Sequence, residues 1–150
     1  MIITKADKSD LKKILELQYS AYQSEAKLVN DFKIPPLTQT YDEIEREYIK
    51  GVFLKATDEN QNIIGSVRAY IEEDTAFIGR LIVHPDRQGQ GIGTKLLLAI
   101  ERECPAARYE LYTSDKSLRN LKLYERLGYV RFKERKITDG LNFVYLEKYK

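Results

Sequence analysis

Two short stretches of this chain carry residue types that can do chemistry together. The first, Arg87-Gln88-Gly89-Gln90-Gly91-Ile92-Gly93-Thr94, places three glycines within five residues. It follows an apolar run ending Leu81-Ile82-Val83-His84-Pro85 and precedes Ile92, Leu96, Leu97 and Ile100 at helical spacing. A strand-to-helix turn offers free backbone N–H groups and the positive end of a helix dipole, a combination that attracts anions. Glycine in a first helical turn costs about 1 kcal/mol relative to alanine, and an anionic ligand offsets that cost. Close helix–sheet packing through the same glycines is the competing explanation.

The second stretch is Asn120-Leu121-Lys122-Leu123-Tyr124-Glu125-Arg126-Leu127-Gly128-Tyr129. Asn120 and Tyr124 stand at i and i+4, so one helix face presents both to the same ligand. Gly128 is placed to end that helix in the left-handed conformation. The chain has 11 tyrosines, and packing as amphipathic core competes with a chemical role for Tyr124.

Two familiar phosphate motifs do not fit. A P-loop needs Gly-Lys-[Ser/Thr], whereas Lys95 follows Thr94. A dinucleotide fingerprint needs G-x-G-x-x-G, and the spacing here is G-x-G-x-G. Gln88-x-x-Gly91-x-Gly93 instead resembles the pyrophosphate motif of the GNAT superfamily of acyl-CoA-dependent N-acetyltransferases. The segment from Asn120 to Tyr129 is similar to that family's N-x-x-x-Y-x-x-x-G-F/Y pattern, and the resemblance extends over nearly the whole chain.

The resemblance implies acetyl-CoA as co-substrate and direct transfer of an acetyl group to a primary amine of a small molecule or protein. It assigns cofactor binding to Gln88, Gly89, Gln90, Gly91, Ile92, Gly93 and Thr94. Backbone groups of Leu81, Ile82 and Val83 are expected to pair with the pantetheine arm, and Asn120 to contact it. Tyr124 is the expected general acid to the leaving thiolate. Arg87, Lys95 and Arg119 are supplementary phosphate contacts or solvated surface charges. The general base stays open between Glu25, Glu72, Glu73 and water, because Ala76-Phe77-Ile78-Gly79-Arg80-Leu81 has no central acid. His84, the lone histidine, is read as a bystander.

Several elements must position these groups. A helix is expected from about Ser9 to Gln23, started by Asp7 or Ser9, with Leu11, Ile14, Leu15, Gln18 and Tyr22 on one face. The Pro35-Pro36 pair reads as non-helical loop. Thr40 and Glu43 have capping-box spacing at the start of a helix from Tyr41 to Lys50. Strands follow at Val52–Thr57, Ile63–Ile71 and Ala76–Val83, then the glycine turn and its helix, which ends near Cys104. A strand (Arg108–Thr113), a helix (Leu118–Leu127) and two strands (Tyr129–Lys136, Asn142–Lys148) complete the order α-α-β-β-β-α-β-α-β-β. This is a mixed α/β sheet in one domain, residues 1–150. Tyr19, Tyr22, Tyr41, the Pro35-Pro36 loop and the Ile137–Asn142 turn are the expected acceptor walls. The last strand is read as an edge that could pair with a second copy.

Composition narrows the partners. The chain has 25 Lys+Arg against 23 Asp+Glu, a net charge of +2, without the basic bias of a dedicated nucleic-acid binder. Its longest apolar run, Leu96 to Ile100, is five residues, against the roughly 20 that span a bilayer. MIITKADKSD contains no apolar signal region. Cys104 is the only cysteine, so no internal disulfide forms and a metal site is not expected. A cytoplasmic enzyme fits these features. A non-catalytic acyl-CoA sensor or interaction domain is the alternative, and a plain nucleotide-phosphate binder a third reading.

Overall fold

Helical periodicity in the chain's middle determines how one helical layer meets the sheet. In α5 (Ile92–Glu103), Leu96, Leu97 and Ile100 are 0 % exposed, and that face lies across the sheet. The computed structural model describes all of residues 1–150. The strands are β1 (Ile2–Lys5), β2 (Val52–Thr57), β3 (Ile63–Glu72), β4 (Thr75–Val83), β5 (Arg108–Ser114), β6 (Val130–Thr138) and β7 (Leu141–Tyr149). They form one mixed sheet in the order β1-β2-β3-β4-β5-β7-β6. Every neighbouring pair is antiparallel except β4 and β5.

One sheet face packs α5 and α6 (Leu118–Arg126) through a core of Leu54, Val67, Ile78, Leu96, Leu111, Tyr124 and Leu146 among others. The other face carries α1 (Leu11–Ala21) and α4 (Tyr41–Lys50), packed through Leu11, Ile14, Leu15, Ile44 and Phe53. The expected capping box forms: Glu43 N–H donates to Thr40 Oγ1 at 3.3 Å, and Thr40 N–H to Glu43 Oε1 at 2.8 Å. Gly128 ends α6 at φ +98°, as its spacing predicted. No helix is long and apolar enough to cross a membrane.

Four expectations need correction. Residues 2–5 form β1, an edge strand on β2 too short for a periodic signal. Helix does not stop at Gln23: after a break at Tyr22 it resumes as α2 (Gln23–Val29), which ends at Asn30 with φ +52°. Pro35 and Pro36 open the short helix α3 (Pro35–Thr38), since proline lacks only an N–H that a first turn leaves unbonded. The C-terminal β7 is interior, paired with β5 and β6 on its two sides, so it cannot act as the edge. The edge is β6, exposed along its whole length and studded with Arg131, Lys133, Glu134, Arg135 and Lys136, charges that discourage strand pairing.

A buried polar cluster ties the helical layer to the sheet. Gln18 Nε2 donates to Pro36 O at 2.8 Å and to Gln39 Oε1 at 3.0 Å. Arg68 Nη2 donates to Gln18 Oε1 at 2.6 Å, and Nη1 donates to Gln39 Oε1 and Glu47 Oε1. Burial lowers the Arg68 guanidinium to about 10, with Glu47 opposing the shift. It therefore remains a cation near neutrality and holds the α1, α3 and α4 segments against β3.

At Gly65 on β3 the sheet lies close against α5. A Cβ there would lie 2.9 Å from Leu96 Cδ1, 3.1 Å from Ile82 O and 3.2 Å from Ile92 Cγ2. Gly65→Ala is expected to destabilise the fold by about 1–3 kcal/mol through overpacking, read as a lower urea midpoint at unchanged m-value.

Candidate active site

The parallel pair at the sheet centre is incomplete. β4 and β5 register only at Thr75–Arg108, Ala76–Tyr109 and Phe77–Glu110. Beyond Phe77 the β4 edge that faces β5 has no strand partner up to Val83. A bulge accompanies the separation: Ser66 pairs with Ile82 and Arg68 with Gly79, so Val67 stands opposite both Arg80 and Leu81. Arg80 takes φ +48° at that point. Bulges of this kind bend a strand and redirect its side chains.

A cleft of about 710 Å³ occupies the gap. Its walls include Leu81, Ile82 and Val83 from β4, Gln88, Gly89, Gly91, Ile92, Gly93 and Thr94 from the turn, and Asn120 and Leu123 from α6. Tyr22 and Glu25 enter from the α1–α2 junction. The cleft therefore joins the two stretches singled out in the sequence.

The turn end is built for an anion. Gly89 and Gly91 adopt φ of +79° and +78°, and a Cβ on either would meet nothing within 4 Å. The backbone can thus approach a ligand there without side-chain interference. Two arginines flank this end, Arg119 and Arg126, and Lys116 also lines the cleft. Arg119 Nη1 donates to Gln88 Oε1, and Arg126 Nη2 to Thr94 Oγ1 at 3.3 Å. A pyrophosphate therefore suits the donor set on this wall, and the open β4 edge offers backbone groups to an extended amide-bearing chain.

The opposite end is a nest of titratable side chains. Glu25 accepts a hydrogen bond from the buried Ser117 hydroxyl. Tyr124 is 6 % exposed, with its ring 6.2 Å from that of Tyr129. Burial raises its phenol well above the ordinary range, and Tyr22 and Glu25 add to the rise. Tyr22 is raised too, chiefly by burial, with Arg80 pulling the other way. Asn120 Nδ2 donates to Thr113 Oγ1 at 3.3 Å, which orients its amide in the cleft wall.

Most of the expected cofactor residues meet here. Gln90 does not: it is exposed and absent from the lining. Tyr124 lies behind the wall, beside Leu123 and within the electrostatic reach of Tyr22 and Glu25. Among the candidate bases, only Glu25 reaches the cleft. Glu72 and Glu73 are exposed at the β3–β4 connection, at the far end of β4 from Val83. Arg87 is committed to Asp58 at 3.0 Å, while Lys95 is exposed outside the lining. His84 Nδ1 accepts from Asp86 N–H at 3.1 Å and is outside the lining of this cleft. Of the expected acceptor walls, Tyr22 lines the cleft, whereas Tyr41 is exposed and Tyr19 donates to Gln39 O. Lys116 and Arg126 were not anticipated; their signal was position alone, in and just before the helix that faces the glycine turn.

The profile of the acetyltransferase (GNAT) family matches residues 11–129. That stretch contains the glycine turn, the splayed β4–β5 pair and α6, and the chain belongs to this family of acyltransferases. A curated relative, the UPF0157 protein YqkA of Bacillus subtilis, is 27 % identical over 131 residues, 87 % of this chain. The chain spans only 37 % of YqkA's length. PaiA N-acetyltransferase of Thermoplasma acidophilum, solved with coenzyme A, superposes at a TM-score of 0.79 with 20 % identity, covering 99 % of this chain and 98 % of that one. YncA of Salmonella typhimurium, solved with its cofactor acetyl-CoA, gives 0.75 with 20 % identity, covering 99 % and 93 %. These likenesses describe the fold.

The raised Tyr124 phenol has a consequence for stability. Above about pH 10 the unfolded chain ionises this tyrosine while the folded chain holds it neutral. Its contribution is thus complete below the unfolded pKa and lost as pH rises through the folded one. Urea unfolding between pH 9 and pH 11 should show stability falling in the wild type, with a shallower fall in Tyr124→Phe.

Proposed function

We propose that this protein transfers the acetyl group of acetyl-CoA directly to a primary amine, with Glu25 receiving the amine proton and Tyr124 serving the leaving sulfur. The observation that carries this reading is the single cleft running from the glycine turn to Tyr22 and Glu25, with Tyr124 behind its wall within electrostatic reach of both. Bound in it, acetyl-CoA would supply an activated thioester carbonyl. In the net reaction a C–S bond gives way to a C–N bond; from the ammonium form the nitrogen loses two protons, one to Glu25 and on to solvent before attack and one as the amide forms, the second balancing the proton that the thiolate gains.

The chain's own groups then have separate tasks. Gln88, Gly89, Gly91, Ile92, Gly93 and Thr94 offer turn and helix-start groups to the phosphates, and Arg119, Arg126 and Lys116 supply cationic charge. We retain Gln90 only as a backbone contributor to the turn. Leu81, Ile82 and Val83 provide strand-type backbone hydrogen bonds, and an N–H of that edge can polarise the carbonyl as charge develops on it. Asn120 steadies the arm.

Glu25, held by Ser117, is placed to deprotonate the ammonium form that an alkylamine adopts near neutrality. Tyr124 remains protonated through the working pH range because burial disfavours its anion. The same burial weakens it as an acid, and Glu25 contributes to that weakening while it is ionised. Proton capture by Glu25 removes one of these opposing charges when Tyr124 must donate. Base and acid are thereby coupled in sequence.

A lone buried thiol, Cys104, whose burial raises its pKa, suits a reducing cytoplasmic setting. Tyr124→Phe should lower kcat by about a hundredfold or more while leaving the KM for acetyl-CoA within twofold or so, read by CoA release with an accepted amine. Full activity in that variant would contradict the acid role. Glu25→Gln should lower kcat/KM most at low pH, where the acceptor arrives protonated. An equal loss at high pH would remove the base assignment.

A further inference from the structure

One cation beside the proposed acceptor end has no partner in the fold. Arg80 occupies the β4 bulge at φ +48°, a conformation that costs energy for any residue with a side chain. Its guanidinium is half-buried, and its Nε is one of two wholly buried side-chain polar atoms without a hydrogen bond. The other is Arg68 Nε, but the terminal nitrogens of Arg68 are bonded to Gln18, Gln39 and Glu47. The arginine ion pairs of this chain use Arg68, Arg87, Arg108 and Arg131, and none uses Arg80. Its one aromatic contact, Cζ 5.9 Å from the Tyr22 ring centroid, is at the outer limit of about 6 Å for a cation–π interaction and satisfies no N–H.

The location gives this surplus charge a use. Tyr22 lines the cleft together with Glu25, and Arg80, itself outside the lining, stands over the Tyr22 ring beside that wall. Glu47 compensates Arg68 nearby, leaving Arg80 as the arginine beside Tyr22 without a carboxylate partner. A guanidinium presents a planar fork matched to a carboxylate. A polyamine would bring positive charge towards Arg80, whereas a molecule with both an amine and a carboxylate meets Glu25 and Arg80 with opposite charges.

We propose that Arg80 anchors a carboxylate on the acceptor, so that the substrate class is a small amine that also carries a carboxylate, as amino acids do. This rests on the acetyl-transfer reading above and adds the acceptor's second charge to it. Arg80 binds substrate in this account and takes no part in proton transfer.

The test uses matched pairs, each an α-amino acid and the amine left by its decarboxylation, with CoA release as the readout. In the wild type, kcat/KM should favour the acid member by about tenfold or more, as expected for a charged hydrogen-bonded group. Arg80→Gln should abolish the preference, and Arg80→Lys should restore part of it. Acetyl-CoA affinity and melting temperature should match the wild type in both variants. Equal rates within the pairs, or a preference that survives Arg80→Gln, would overturn the proposal while acetyl transfer stands. A second arm measures calorimetric binding of N-acetyl amino acids to the CoA-loaded protein. If no amine is acetylated, the transfer reading fails on its own; the carboxylate site then stands on binding that Arg80→Gln removes. It falls if wild type and variant bind alike or neither binds.

Discussion

The separation of β4 from β5 after Phe77 is the constraint on which the rest of this protein depends. A parallel pair held together by three registered residues leaves the central strand of a seven-stranded sheet with an unpaired edge. Buried unpaired backbone groups are costly, so such an edge is stable only where solvent or a ligand reaches it. The fold keeps it open by two means. The bulge opposite Val67 bends β4, and α5 and α6 brace the strands from one face through Leu96, Leu97, Ile100 and Leu121. The glycine turn follows directly on β4, which places an anion-attracting helix start at one end of the gap.

The second layer has a different task. Gln18, Gln39 and Arg68 replace an apolar seam by a buried polar one, with Glu47 closing it at the exposed margin, and through it α1, α3 and α4 are fixed to β3. Breaking one member of such a network leaves charge or polar groups buried without partners, which is costly in a low-dielectric interior. This rigidity sets the position of the α1–α2 junction, and with it Tyr22 and Glu25. The Tyr22–Glu25 end of the cleft is thus held by a polar network, while the glycine-turn end is held by the apolar core.

Much of this was legible in the sequence because its signals are local. The capping box at Thr40 and Glu43, the glycine turn, the i,i+4 pair Asn120–Tyr124 and Gly128 each depend on residues within one or two turns of chain. What was missed depends on tertiary context. Glu25 could be named as a candidate base from the sequence but not chosen over Glu72 and Glu73; it reaches the cleft because helix continues past Tyr22 and because Ser117, 92 positions along the chain, donates to it. Lys116 and Arg126 matter only because α6 faces the turn. Gln18 reads as a flaw in an apolar stripe until Arg68 is seen opposite it. β1 and the interior place of β7 are pairing facts, to which a strand's own residues are nearly indifferent. Arg80 was passed over for the same reason: its isolation is a property of its surroundings.

The central claim is that the β4 edge and the glycine turn form one acyl-CoA cleft. Amide hydrogen exchange with and without CoA, using ATP as the comparison ligand, tests it most directly, since bound ligand slows opening only where it protects the backbone. The account predicts that CoA slows exchange at residues 81–83, 88–94 and the start of α6, with ATP producing weaker and narrower protection. Protection by CoA confined to other segments, or none at saturating CoA, would contradict it.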